Sequence, residues 1–147
     1  MRMQKLRIKN ASNCGFTNAS MIQCSLAEKN IWISIGNVGQ EYYPKFDEDW
    51  PYTKARLNLS FADVGSKTAN GAITPEQAKQ IVDFVRDNAD EDTLVMINCM
   101  AGVSRSAGVA AALTKLALKT DQRFFKRYTP NMLVYRAVLD AGMEILG

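Results

Sequence analysis

Segments typical of β-strands alternate with segments typical of α-helices along this chain, and that order leaves few folds open. Apolar and β-branched residues predict four strands, at residues 5–9, 30–35, 54–60 and 93–98. Helical periodicity and helix-starting residues predict further segments, at residues 18–28, 106–118, 121–127 and 130–145 and from Pro75 onward. Strands that alternate with helices indicate a layered α/β domain.

The length and composition fit one soluble globular domain over residues 1–147. Of the 147 residues, 47% are hydrophobic and 22% are charged. Residues 36–53, which mix glycine and proline with acidic and aromatic residues, fit neither pattern and are expected to form a surface excursion. The formal net charge of +3 is too small to predict nucleic acid or a membrane surface as a partner.

The sequence contains no histidine. This excludes Ser-His-Asp and Cys-His hydrolases, zinc sites with histidine ligands, and proton shuttles built on imidazole. Any chemistry must therefore use cysteine, carboxylate, hydroxyl, lysine, arginine or backbone groups.

Three cysteines, Cys14, Cys24 and Cys99, form neither a CxxC pair nor the even set of a disulfide framework. We therefore expect a reducing, cytoplasmic environment and no thiolate metal site. Cys24 lies beside apolar residues and is expected in the core. Cys14 is expected in an exposed loop, with a resolving thiol for Cys99 as its alternative role. The N-terminus lacks the continuous apolar stretch of a signal peptide, and no window has the length of a membrane span.

The link between the strand at 93–98 and the next helix has the spacing cysteine, five residues, arginine, serine. A short loop between a strand and a helix N-terminus turns consecutive backbone N–H groups inward, which makes an anion cradle. Cys99 at the floor of that cradle would be held as a thiolate, and the planar guanidinium of Arg105 would bind two phosphate oxygens. The predicted phosphate-binding residues are Met100, Ala101, Gly102, Val103, Ser104 and Arg105.

These residue types predict attack of the Cys99 thiolate on phosphorus, without a metal or a cofactor. The Ser106 hydroxyl can hydrogen-bond the sulfur and make it a better leaving group when water cleaves the phosphocysteine. The competing interpretation is structural, with Cys99 as a buried cysteine at a strand end and Arg105 on the surface. The glycine in the loop, the serine after the arginine, and the flanking strand and helix favour phosphate chemistry.

The segment INCMAGVSRSAGV resembles the phosphate-binding signature of the cysteine-dependent protein tyrosine and dual-specificity phosphatases, His-Cys-x2-Gly-x2-Arg-Ser/Thr. The likeness covers about residues 30–141 and is strongest from Leu57 onward, where LNLSFADV, PEQAKQIVDFV, SAGVAAALTKL and FFKRYTPNMLVYRAVLDA resemble successive segments of small bacterial and phage members. The resemblance implies a phosphotyrosine-phosphatase-like α/β fold, in which helices flank a central, mostly parallel sheet.

The resemblance also implies an activity, the hydrolysis of phosphotyrosine monoesters, with phosphoserine and phosphothreonine left open. The expected partner is a phosphorylated protein or a small phosphomonoester, and the chain is expected to act as a monomer. The general acid that protonates the leaving oxygen lies, in the family, on the loop after the strand that precedes the Pro-initiated helix, and Asp63 occupies that position. A loop aspartate can also cap its own turn. The other nearby carboxylates, at Asp47, Glu48 and Asp49, are expected to form a solvated face.

One position departs from the family, because Asn98 stands where the signature has histidine before the nucleophile. An asparagine donates and accepts hydrogen bonds but carries no charge, which predicts weaker support for the thiolate and slower turnover. A catalytically weak, phospho-binding pseudophosphatase is therefore the alternative function. A rhodanese-like sulfur-transfer enzyme is a further alternative, which Asp63 and Ser106 disfavour.

Overall fold

The computed structural model describes residues 7–12, 29–39, 53–90, 92–100 and 103–147. Its strands are β1 (Arg7–Ser12), β2 (Asn30–Gly36), β3 (Thr53–Ser60) and β4 (Leu94–Cys99). Its helices are α1 (Pro75–Asn88), α2 (Arg105–Leu118), α3 (Gln122–Arg127) and α4 (Met132–Leu146). The predicted helix at 18–28 and residues 40–52 of the predicted excursion lie outside the described residues.

The four strands form one sheet in the order β1-β4-β2-β3, and every neighbouring pair is parallel. In a parallel sheet the carboxyl ends of the strands lie at one edge, which is where α/β proteins bind ligands. Gly36, Ser60 and Cys99, which end β2, β3 and β4, therefore lie at that edge. The predicted α/β class, with a parallel sheet flanked by helices, is confirmed.

β2 lies in the interior of the sheet, between β4 and β3, and all seven of its residues are buried. A strand covered on both faces typically reads as a continuous apolar run, as NIWISI largely does. The buried side chain of Asn30 breaks this run. Its Oδ1 accepts hydrogen bonds from Trp32 Nε1 and Thr53 Oγ1, both at 2.7 Å, so the buried oxygen is satisfied.

The helices pack against the sheet and against one another. α1 contacts β2 and β3, α2 contacts β1, β4 and β2, and α4 packs on both α1 and α2. α2 and α4 approach closely at Gly108, where a Cβ would lie 2.8 Å from the carbonyl oxygen of Asn131. Glycine at this position therefore lets the start of α4 lie against the first turns of α2. Within the described ranges, no helix combines the length and the apolarity needed to cross a membrane.

The predicted helix starts are confirmed at α1 and shifted at α4. Thr74 Oγ1 accepts from the backbone N–H of Gln77 (3.1 Å), and Gln77 Oε1 accepts from the backbone N–H of Thr74 (3.0 Å), so the predicted capping box is present. α4 begins at Met132 instead of Pro130, because Asn131 is the N-cap and accepts from the backbone N–H of Val134 (3.1 Å).

The predicted strands agree with β2, β3 and β4 to within one residue at each end. The predicted end of the first strand, at residue 9, is wrong, because β1 continues to Ser12. Its ladder with β4 runs from the pair Arg7 and Leu94 to the pair Ser12 and Cys99. Backbone groups form that ladder, so the strand continues beyond the apolar residues that reveal it in the sequence.

Candidate active site

Cys99 is the last residue of β4, and only 2% of it is exposed. Its Sγ lies 3.1 Å from Oγ of Ser106, in the first turn of α2. The hydroxyl is therefore placed to donate a hydrogen bond to a thiolate, or to a sulfur that is leaving a phosphoryl group. The two residues meet because the strand runs through a short loop directly into the helix.

Arg105, the first residue of α2, extends its guanidinium to the carboxyl edge of the sheet. Its Nη1 donates to the carbonyl oxygens of Gly36 (3.2 Å) and Phe61 (2.9 Å) and to Oδ1 of Asn37 (2.9 Å). Only 6% of the residue is exposed, so the interpretation of Arg105 as a surface residue is wrong. The buried Nε has no hydrogen-bond partner in the described part of the chain. Nε and Nη2 form one edge of the guanidinium plane, which can bind two oxygens of a phosphate.

The N-terminus of α2 has no side-chain cap. Ser104 occupies the N-cap position, but its side chain makes no hydrogen bond to the helix and donates instead to Oδ1 of Asp63 (2.7 Å). The first N–H groups of an α-helix have no partners within the helix and attract anions. The start of α2 therefore suits a bound anion at the loop that begins with Cys99.

Some predicted site residues are described and others are not. Met100 and Ser104 are partly exposed, and Val103 is 47% exposed. Outside the described residues lie two cradle positions, three candidate carboxylates and two cysteines: Ala101, Gly102, Asp47, Glu48, Asp49, Cys14 and Cys24.

The carboxylate of Asp63 is held against the start of α2. Its Oδ1 accepts from Oγ of Ser104 (2.7 Å) and from Nδ2 of Asn131 (2.8 Å). Both partners are distant in the chain, so Asp63 does more than cap its own turn. Oδ2 has no hydrogen bond to the described residues.

Asn131 connects three segments around Asp63. Its Nδ2 also donates to the carbonyl oxygen of Val64 (3.0 Å), and its backbone N–H donates to the carbonyl oxygen of Ser104 (3.0 Å). Its Oδ1 at the same time caps α4 through Val134. The loop after β3, the start of α2 and the start of α4 thus share one side chain. Asn131 is a positioning residue that the sequence analysis did not identify, although Asn at a helix start is a known N-cap signal.

Asn98, the residue before the nucleophile, is fully buried. Its Oδ1 accepts a 2.6 Å hydrogen bond from Oγ of Ser34, which lies directly opposite on β2. A link between two neutral side chains thus occupies the position where the family signature has an ionisable histidine. The link fixes β4 to β2 one residue before Cys99.

Comparison with known proteins rests on the fold. No protein-family model and no curated protein matches the sequence. Among solved structures, the human tyrosine phosphatase-like serine/threonine/tyrosine-interacting protein matches with a TM-score of 0.66 at 13% identity, over 95% of this chain and 93% of that one. This chain has a tyrosine-phosphatase-like fold.

Two structures of PTPMT1 also have this tyrosine-phosphatase-like fold. The complex of PTPMT1 with PI(5)P matches with a TM-score of 0.57 at 12% identity, over 99% of this chain and 96% of that one. PTPMT1 alone matches with a TM-score of 0.54 at 14% identity, over 99% of this chain and 94% of that one. The resemblance predicted from the sequence is therefore confirmed for the fold, and the roles of the site residues rest on their geometry.

The tyrosine-phosphatase-like fold also brings Asn37 and Ser34 to the site, and the sequence analysis identified neither. Asn37 follows β2 at the carboxyl edge of the sheet and contacts Arg105. Its position directly after a buried strand is the signal that would have made it a candidate. Ser34 offered no signal, because its partner on β4 is set by the order of the strands.

The uncapped helix terminus and the unpartnered Nε of Arg105 predict that Cys99 prefers anionic reagents. We expect the rate ratio of iodoacetate to iodoacetamide at Cys99 to exceed that of a free thiol by about fivefold, which corresponds to a favourable charge interaction of about 1 kcal/mol. Arg105→Gln should remove most of this preference. The rates are measured by peptide mass spectrometry.

Lys115→Gln, which removes a cation from the last turn of α2, is the matched control and should keep the preference. A parent ratio equal to that of the free thiol would contradict an anion-binding loop. So would an equal loss of the preference in both variants.

Proposed function

We propose that this chain hydrolyses phosphate monoesters, of phosphotyrosine first, through a phosphocysteine at Cys99. The observation that carries the proposal is the burial and the hydrogen bonding of the Arg105 guanidinium. Its guanidinium is buried and fixed through Nη1, while its Nε has no partner in the described part of the chain. A charged donor group on Arg105, six residues after a cysteine that contacts Ser106, is what a phosphoryl group and its nucleophile require.

In the first step the loop N–H groups and Arg105 hold the phosphate oxygens while the Cys99 thiolate attacks phosphorus. The S–P bond forms as the bond from phosphorus to the ester oxygen breaks. Oδ2 of Asp63 gives its proton to the departing oxygen, so an alcohol or a phenol leaves. Ser104 and Asn131 hold Oδ1 and so direct the other carboxylate oxygen to this task.

In the second step water attacks the phosphocysteine. The Asp63 carboxylate accepts a proton from that water, the S–P bond breaks, and inorganic phosphate leaves. The Ser106 hydroxyl, 3.1 Å from Sγ, donates a hydrogen bond to the sulfur as negative charge returns to it. Every step uses backbone and side-chain groups of this chain together with water, so the proposal needs no metal and no cofactor.

The proposed substrate is a phosphorylated protein or a small phosphomonoester, and the chain is proposed to act as a cytoplasmic monomer. Val38, 60% exposed, lines a cavity of about 260 Å³ together with Asp63, and Val103 lies exposed on the loop. The apolar side chain of Val38, in the same cavity as the acid, suits the ring of phosphotyrosine. PTPMT1 was solved with PI(5)P, but the described loop residues Met100, Val103 and Ser104 carry no charge for a second phosphate.

A phospho-binding module without turnover is the second candidate function. Two observations favour it, namely Asn98 in place of the signature histidine and the likeness to a protein described as phosphatase-like and interacting. The two candidates differ in one measurement, which is steady-state hydrolysis of an aryl phosphate by the parent chain. The sulfur-transfer alternative gives no role to Asp63 or Ser106 and is not supported by their contacts.

Cys99→Ser should abolish turnover and keep phosphate binding, because the cradle consists of backbone and Arg105 while the nucleophile is the sulfur. Turnover is measured with an aryl phosphate and binding by calorimetry with inorganic phosphate. Cys14→Ser, which removes a thiol predicted to lie in a loop, is the control and should keep the parent rate. Residual activity of Cys99→Ser near that of the parent would reject the phosphocysteine.

Asp63→Asn should slow hydrolysis of an ester with a poor leaving group by about a hundredfold, the usual scale of general acid catalysis. The loss should be much smaller with an activated aryl ester, because a good leaving group departs without a proton. kcat is measured for both esters, beside Asp83→Asn, a similar change on the surface of α1 in an ion pair with Arg86. Equal losses for both esters would assign the acid role to another carboxylate.

A further inference from the structure

Within the part of the chain that the structure describes, Arg105 is held by neutral groups only. Nη1 has two hydrogens and three acceptors, the carbonyl oxygens of Gly36 and Phe61 and the side-chain oxygen of Asn37. The ion pairs of the described residues all involve other cations, and no described carboxylate lies within ion-pair distance of Arg105. Among the described residues, the guanidinium is thus a buried charge that has hydrogen bonds but no carboxylate as a counter-charge.

A buried cation without an anion is unfavourable, because the charge has lost water and gained no opposite charge in return. Arginine cannot relieve this by losing its proton. An external anion at the unpartnered Nε would relieve this cost. The ligand-free site therefore holds a charge that a bound phosphate would neutralise.

Asn37 is the side chain that holds Arg105 without neutralising its charge. Its Oδ1 lies 2.9 Å from Nη1 of Arg105, the distance at which an aspartate oxygen would form an ion pair. Aspartate has nearly the same shape as asparagine, so the identity of this one side chain decides whether the chain itself neutralises the guanidinium. Gly36 and Phe61 accept through backbone carbonyl oxygens, so a substitution of either side chain would not change the charge of the acceptor.

We infer that Asn37 is a positioning residue that sets the affinity of the site for phosphate dianions, by fixing Arg105 while leaving its charge uncompensated. The inference rests on the proposed function, since it assigns the phosphate of the substrate as the counter-charge. The uncompensated charge of Arg105 selects the doubly charged phosphoryl group over singly charged or neutral groups of similar size. The same uncompensated charge makes the ligand-free protein less stable than a chain with an acidic residue at position 37.

The test uses the Cys99→Ser background, in which phosphate binds without turnover. Asn37→Asp should weaken the binding of inorganic phosphate at least tenfold, about 1.4 kcal/mol, because the carboxylate takes the place of the ligand's charge. The same change should raise the melting temperature of the ligand-free protein by about 2–4 °C. Binding is measured by calorimetry at constant ionic strength, and melting by a thermal scan.

Asn70→Asp is the matched control. Asn70 lines the same cavity of about 260 Å³ as Asn37 and Asp63 but makes no hydrogen bond to Arg105. The Asn70→Asp variant adds the same charge to the same cavity. Because the new carboxylate does not bond to Arg105, this variant should weaken phosphate binding less than threefold and leave the melting temperature unchanged. Asn37→Ala should also weaken binding, through lost positioning, but without the rise in melting temperature.

The inference is overturned if Asn37→Asp and Asn70→Asp weaken binding equally, or if Asn37→Asp lowers the melting temperature. Phosphate binding by Asn37→Ala as tight as that of its parent also overturns it. In these cases hydrolysis by the chain with Cys99 intact shows that the proposed function still stands. If the chain with Cys99 intact does not hydrolyse an aryl phosphate and the Cys99→Ser variant does not bind phosphate, the proposed function and the inference are both wrong.

Discussion

The hydrogen bonds of one nitrogen, Nη1 of Arg105, join the three segments that make up the site. They connect the end of β2, the residue after β3 and the first residue of α2. Because one edge of the planar guanidinium is fixed, its other edge is fixed as well and needs no rearrangement to meet two phosphate oxygens. Two of the three acceptors are backbone carbonyls, so this geometry follows from the parallel sheet itself.

The acid is held by a separate set of contacts that shares the start of α2. Ser104 is the N-cap residue of that helix and also donates to Asp63, while Asn131 bonds to both and is the N-cap residue of α4. The close approach of α2 and α4 at Gly108 brings Asn131 within reach. The position of the acid therefore depends on helix packing, whereas the position of the nucleophile depends on the sheet. The two sets of contacts share the start of α2, because Arg105 follows Ser104 directly.

The part of the site that is local in the chain could be predicted from the sequence. Cys99, Arg105 and Ser106 follow from one spacing, since a strand, a short loop and a helix leave little freedom to the residues between them. Asp63 required the family resemblance, because nothing in its own segment shows what it contacts. The partners of Asn37 and Asn131 and the pairing of Ser34 with Asn98 could not be predicted, because they depend on strand order and helix packing between distant segments.

The most direct measurement is to look for the phosphoryl group on sulfur. The Ser106→Ala variant is mixed with an activated aryl phosphate, quenched in acid within a single turnover, and mapped by peptide mass spectrometry. A phosphoryl group on Cys99, at higher occupancy than in the parent, is the expected result, because the missing hydroxyl slows cleavage of the S–P bond most. Turnover by both proteins with no phosphoryl group on Cys99 at any quench time, or with one on another residue, would contradict the mechanism.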